Sequence, residues 1–186
     1  MSINYKDIHK PLRGTKETLT FNGILRRMQT KNFEGASEPF NLDPDYQRPH
    51  VWTNKQQSLF VGYLLEGNAA PTIVINRDLD PNHYPPNVDE VVDGKQRLMA
   101  CYRFIIDEIP AELSDGREVW LKDADPNERK QILGISGPYM NIVYVSLSRP
   151  EVLKLYLRLN RGGTVHTDSE IEHVRNLLAA EENGNV

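Results

Sequence analysis

The chain of 186 residues has a single cysteine, Cys101. One thiol excludes an internal disulfide and any zinc cage built from several cysteines. Histidine offers no substitute, because His9, His50, His83, His166 and His173 form no i, i+4 pair and no cluster. No zinc is therefore expected. No apolar run approaches the ~20 residues of a membrane span, so no membrane partner is expected. The polar stretch Met1 to Lys10 lacks the apolar core of a secretory signal, so a cytoplasmic protein is expected. Neither charge sign dominates: 22 Lys and Arg against 26 Asp and Glu give 22 − 26 = −4. This excludes a blanket polycation that coats nucleic acid, and the interspersed signs exclude an acidic DNA mimic. The Gly-x-x-x-x-Gly-Lys-Ser/Thr loop of P-loop NTPases is missing. So are internal repeats and low-complexity tracts.

What is present reads as one soluble globular domain: 39% hydrophobic and 26% charged residues in a length that buries a real core. Residues 1–16 read as an irregular arm carrying Lys6, Lys10, Arg13 and Lys16, residues 17–180 as the domain, and residues 181–186 as a frayed, disordered tail. Thr20 precedes the helically spaced Phe21, Ile24, Leu25 and Met28. Thr53 with Gln56 makes a capping box before Leu59, Phe60, Tyr63 and Leu64, and Gly67 ends that helix. Residues 71–76 form a β-branched strand, residues 78–87 a loop, and residues 88–92 a second strand. Leu98, Cys101, Tyr102 and Ile105 share one helix face. Asp125-Pro126 with Glu128 starts a short helix, and residues 139–146 are the best strand by composition. Ser148 with Glu151 caps a helix whose inner face is Val152, Leu155, Tyr156 and Leu159. Thr167 with Glu170 opens the last helix, with Ile171, Val174 and Leu177 inward. The class is α/β, with three or four strands and five or six helices; strand polarity is open.

Three segments carry candidate chemistry. At residues 88–97 a strand runs through Asp93-Gly94 into a helix bearing Lys95, Gln96 and Arg97. A first helical turn has unpaired N–H groups and a positive dipole end, Gly94 admits a ligand close to the backbone, and two cations stand beside it; a phosphate satisfies all of them. The alternative is that Asp93 and Gln96 form a capping box while Lys95 and Arg97 are solvated. The second segment, residues 45–52, places Arg48 where it can bind phosphate bidentately and Tyr46 and Trp52 where they can stack on a ring; the alternative is that the aromatics plug the core and Arg48 pairs with Asp43 or Asp45. The third, Asn160 to Thr164, is either a helix C-cap and turn or a donor-rich loop whose Arg161 reaches the same anion. Cys101 reads as a buried small hydrophobe. Arg26, Arg27 and Lys31 form a basic helix edge, solvated or touching a DNA backbone.

In this order the segments resemble the N-terminal domain of GmrSD-type modification-dependent restriction enzymes, within the ParB/sulfiredoxin-like superfamily. The resemblance rests on Tyr46-Gln47-Arg48 with Trp52, on Asp93-Gly94-Lys95-Gln96-Arg97, and on Asn160 to Gly163 followed by Thr167 to Glu170. It spans residues 21–178 and implies a small mixed sheet flanked by helices, with a pocket for a nucleoside triphosphate and Mg²⁺. It carries over Asp93, Gly94, Gln96, Arg97, Gln47 and Arg48 as site candidates. Joined to the reading of the residues, this gives Asp93, Gln96 and Gln47 for catalysis, with Asp93 as metal ligand by position and Asp89 or Glu90 as outside candidates; Arg48, Gly94, Lys95, Arg97, Asn160 and Arg161 for phosphate; and Tyr46 and Trp52 for base stacking or a pocket wall. Hydrolysis, transfer and binding alone stay open, with triphosphate hydrolysis favoured and Glu90, Asp93 or His50 as general base for transfer. DNA or a DNA-processing protein is the implied further partner, in modification, restriction or anti-restriction in a phage or bacterial setting. The rival reading is a DNA-binding module using the same basic loops without a nucleotide. The chain departs from the family at Lys95, where the motif has glutamine, and it shows no HNH-type spacing, so nuclease activity is not expected.

Overall fold

Three β-branched runs supply the centre of the molecule. A computed structural model describes residues 14–29, 40–77, 89–160 and 167–184. In chain order the elements are β1 (Lys16–Thr20), α1 (Phe21–Gln29), β2 (Phe40–Asn41), α2 (Asn54–Leu65), β3 (Ile73–Asn76), β4 (Asp89–Asp93) and α3 (Lys95–Ile105). There follow β5 (Ala111–Glu112), β6 (Glu118–Val119), α4 (Pro126–Leu133), β7 (Tyr139–Val145), α5 (Arg149–Leu159) and α6 (Asp168–Asn183). Five strands make one sheet in the order β1-β7-β3-β4-β2, and β5 and β6 make a separate ribbon. β1 is antiparallel to β7 and β3 to β4, whereas β7–β3 and β4–β2 are parallel pairs. The fold is therefore α/β with a mixed sheet.

Successive strand residues point to opposite faces, and both faces are covered, which is why the central strands read as continuous apolar runs. Ile73, Ile75, Val91, Met140 and Ile142 pack with Phe21, Ile24, Val61, Leu98 and Phe104 of α1, α2 and α3. On the other face, Val74, Val92 and Val145 pack with Val152, Leu153 and Tyr156 of α5 and Val174 of α6. The expected capping boxes are formed at Thr53/Gln56, Asp125/Glu128, Ser148/Glu151 and Thr167/Glu170.

Several details differ from the sequence reading. Lys16 belongs to a strand rather than the irregular arm, held by its register with Val143. Helix α6 continues through Asn183, because Ala179, Ala180, Glu181 and Glu182 are good helix formers. The β5–β6 ribbon was not anticipated. Leu59 and Tyr63 of α2 are exposed, and its buried stripe is instead Gln57, Ser58, Val61 and Leu64. Arg27 is no part of a solvated basic edge. It is buried against the fully buried Asp89, which also receives Arg77 through Nε (2.7 Å) and Nη2 (2.6 Å). That pairing removes Asp89 as a metal candidate. The 78–87 loop, residues 161–164 with Arg161, and Lys6, Lys10, Arg13 and Lys31 lie outside the described residues. No described helix is long and apolar enough to cross a membrane.

Candidate functional site

The loop before α2 is held along nearly its whole length by side chains from elsewhere in the fold. The Gln47 amide nitrogen donates to the carbonyls of Val91 (2.8 Å) and Val92 (3.0 Å) on β4. The buried Lys95 ammonium donates to the Arg48 carbonyl (2.9 Å) and pairs with Asp43. The Arg48 backbone N–H donates to the Tyr156 phenol oxygen on α5. Gln96 accepts from the backbone N–H groups of Val51 (3.0 Å) and Trp52 (3.1 Å) and donates to the Pro49 carbonyl (3.4 Å). Residues 47–52 thus form a strap bonded from beneath by the start of α3 and from one side by α5. The Arg48 guanidinium is left over. Among the described residues no hydrogen bond or ion pair engages it, although both backbone polar groups of Arg48 are fixed.

This arrangement gives a scaffold role to Gln47 and Gln96, the two glutamines expected to serve catalysis. Gln96 supplies the acceptor that two loop amides need. Gln96→Ala is expected to lower unfolding free energy by about 1–3 kcal/mol, the cost of leaving partly buried donors unsatisfied. Gln96→Glu keeps the acceptor but sets a carboxylate oxygen against the Pro49 carbonyl, so it is expected to fall between wild type and Gln96→Ala in urea denaturation.

The β4–α3 junction forms the second side. Gly94 is the N-cap of α3 at φ 108°, ψ 8°, and no side chain caps the helix. The alternative of an Asp93/Gln96 capping box is therefore not what forms. Asp93 turns to Arg97 instead, at 2.6 Å from Nη2. Arg97 Nη1 donates to the carbonyls of Pro71 (2.8 Å) and Thr72 (3.3 Å). The glycine itself serves packing: a Cβ at residue 94 would lie 2.2 Å from Ile73 Cδ1 on β3.

Strap and junction together line a cavity of about 520 Å³. Its polar floor includes Gln47, Arg48, Asp93, Lys95, Gln96 and Arg97. One wall is aromatic, made by Trp52, Phe60 and Tyr63; the other carries Tyr156, Leu159 and Asn160. The structure thus gathers in one place most of the residues that the three sequence segments singled out. Trp52 packs edge-on against Phe60, with ring centroids 5.5 Å apart. The Asn160 amide donates to the Tyr156 carbonyl (2.8 Å) and so closes the end of α5.

Other candidates fall elsewhere. Tyr46 is not a pocket wall but a buried ring edge-on to Tyr156 at 5.2 Å, with its hydroxyl 3.3 Å from Glu90. Burial raises the pKa of Tyr46 and of Glu90, and in Glu90 the positive charge of Arg149 opposes the rise. Glu90 follows the same sheet face as Val92, behind the strap, and is not among the lining residues. Neither is His50, whose ring nitrogens are shielded; burial, then the positive charges of Arg103 and Lys95, lowers its pKa below the ordinary 6.5. Burial likewise pushes the Cys101 thiol far up, so it stays protonated. Of the three proposed bases, only Asp93 touches the cavity. Phe60, Tyr63 and Leu159 are lining residues that the sequence does not mark as functional: the first two stand in the apolar pattern of α2, and Leu159 reads as inner face of its helix. For Phe60 and Tyr63 the visible signal is an α2 whose apolar residues cover more of the circumference than one core face needs.

A family model described as the GmrSD restriction endonuclease, N-terminal domain, matches residues 27–178. The chain belongs to this family. No curated protein matches it, and no solved structure does. The match covers the strap, the β4–α3 junction and the whole cavity. In this GmrSD N-terminal domain, the lysine replacing the motif's first glutamine ties the strap down through Asp43 and the Arg48 carbonyl. No group of three or more metal-ligating side chains occurs among the described residues.

Proposed function

We propose that the cavity binds the phosphate chain of a nucleoside triphosphate, as the nucleotide-responsive part of a restriction-related system. The observation that carries this reading is the Arg48 guanidinium. It lines a cavity with its main chain held by Lys95 and Tyr156 and its fork engaged by nothing else described. A guanidinium in such a position matches phosphate oxygens bidentately. The uncapped first turn of α3 adds N–H donors and the positive end of its dipole. Arg97 and Lys95 have carboxylate partners that offset their charge, so Arg48, unpaired among the described residues, carries most of the net positive charge of the floor.

The residues fit magnesium in one way. Asp93 offers a single carboxylate beside the cavity, and Mg²⁺ commonly takes one or two carboxylates with substrate phosphates and waters. The ion would therefore arrive with the phosphate chain, supplying charge neutralisation there, and Asp93 would exchange its bond to Arg97 for it. Asp93 is also the one candidate base in the cavity, so any turnover would depend on it.

A thermal-shift series with the four nucleoside triphosphates and Mg²⁺ tests the reading. Wild type is expected to be stabilised by at least one of them. Arg48→Ala should melt at the wild-type temperature without ligand and bind about ten- to a hundredfold more weakly, the worth of charged hydrogen bonds. No stabilisation of wild type, or equal stabilisation of Arg48→Ala, contradicts it. DNA binding that falls steeply with salt and ignores added nucleotide would also contradict it, in favour of DNA phosphates as occupant.

A further inference from the structure

The floor of the cavity is charged, but the α2 side of its lining is aromatic and only partly covered: Phe60 packs against Trp52 and the core, whereas Tyr63 stays exposed. Phe60 and Tyr63 are three residues apart on α2, which puts them on one side of the helix, and both line the cavity. Tyr63 is 45% exposed, unusual for a large ring pointing into a concave site. Opposite it on α5, Leu159 lines the same cavity at 38% exposure. The Tyr63 hydroxyl donates to the Ala69 carbonyl (3.3 Å), so its one polar end is already used. Trp52 braces Phe60 from the strap. An aromatic ring with two side-chain torsions offers a π face at little entropic cost. Phosphate has no use for such a surface, whereas a flat heterocycle does.

We propose that Tyr63, backed by Phe60, is the base platform of this site, so that the ligand is a nucleotide held by stacking at α2 and by Arg48 at its phosphates. The proposal rests on the phosphate reading of the floor, and it assigns a role to α2 that the motif residues do not contain. Because the Tyr63 hydroxyl is already bonded to Ala69, this residue holds the base by its ring face and not by a hydrogen bond to the base edge. Tyr63→Phe should then bind like wild type, while Tyr63→Ala should lose the stacking.

Calorimetric titration of the full chain with ATP and with inorganic tripolyphosphate, both with Mg²⁺, tests this. Tyr63→Ala is expected to bind ATP about tenfold more weakly, the size of one lost base–aromatic stack. Its affinity for tripolyphosphate should stay within twofold of wild type, and Tyr63→Phe should match wild type for both ligands. Tyr63 is half exposed, so its removal is not expected to unfold the chain, and a melting curve checks this. The platform is overturned if Tyr63→Ala binds ATP as wild type does, or if it weakens both ligands alike. The two failures are distinguishable. Loss of both ligands in Arg48→Ala with no change in Tyr63→Ala removes the platform and leaves the phosphate site standing; a wild type that binds neither ligand removes both.

Discussion

Asp89→Ala is expected to lower the melting temperature by about 6–20 °C, because removing one partner of a buried ion pair costs about 3–5 kcal/mol in a domain of this size. The carboxylate is fully buried and lies between two guanidinium groups, those of Arg27 and Arg77. Without it, two positive groups face each other next to the core, one of them almost completely enclosed. Arg27 also lies over the Phe40 ring at 4.3 Å and Arg77 over Tyr144 at 4.0 Å. Asp89 therefore ties α1 and the segment after β3 to the first residue of β4. Arg77→Ala should cost clearly less, since the Arg77 side chain is one-third exposed and Asp89 keeps Arg27. A melting temperature of Asp89→Ala within 2 °C of wild type would mean that the triad contributes nothing.

Gly94→Ala is expected to destabilise the fold by about 2–5 kcal/mol, combining a strained backbone with overpacking. The φ of 108° lies in a region that L side chains rarely adopt. A methyl group there would also drive into Ile73 of β3, at 2.2 Å from its Cδ1. The obstacle is the Ile73 side chain, which is fully buried in the core, so either that side chain repacks or the junction shifts, and the junction lines the cavity. Urea denaturation reads the stability, and ligand binding by the surviving folded fraction should fall as well. A Gly94→Ala protein as stable as wild type would show that the glycine's fit against β3 is dispensable.

Local signals in the sequence carried far. The four capping boxes are written in residues three apart, and each forms as read. The strand-to-helix junction at Asp93-Gly94 is legible from the β-branched run before it and the helical spacing after it, although the Asp93/Gln96 box does not form there, and Arg48 and Arg97 do line one cavity. What the sequence concealed is which donors meet which acceptors across the fold. Lys95 and Asp43 are 52 positions apart, and Gln96 reaches Val51 and Trp52 across about 45. No spacing rule connects such partners. Hence Gln47, Gln96 and Lys95 read as ligand-facing groups, although the structure uses them to hold the strap. Tyr46 and Tyr63 exchanged roles for a related reason. Tyr46 sits in a polar loop yet is buried by Tyr156 and Glu90, while Tyr63 sits in a helical apolar pattern yet faces the cavity. Arg27 shows the same limit, since a cation in a basic cluster gives no local sign of a carboxylate 62 residues away.

The account stands most directly on where a triphosphate settles. A crystal structure of the chain with a non-hydrolysable nucleoside triphosphate and Mg²⁺ should show phosphate oxygens within hydrogen-bonding distance of the Arg48 guanidinium and of the first backbone N–H groups of α3. A triphosphate bound elsewhere, with Arg48 turned to a carboxylate of the protein, would contradict it.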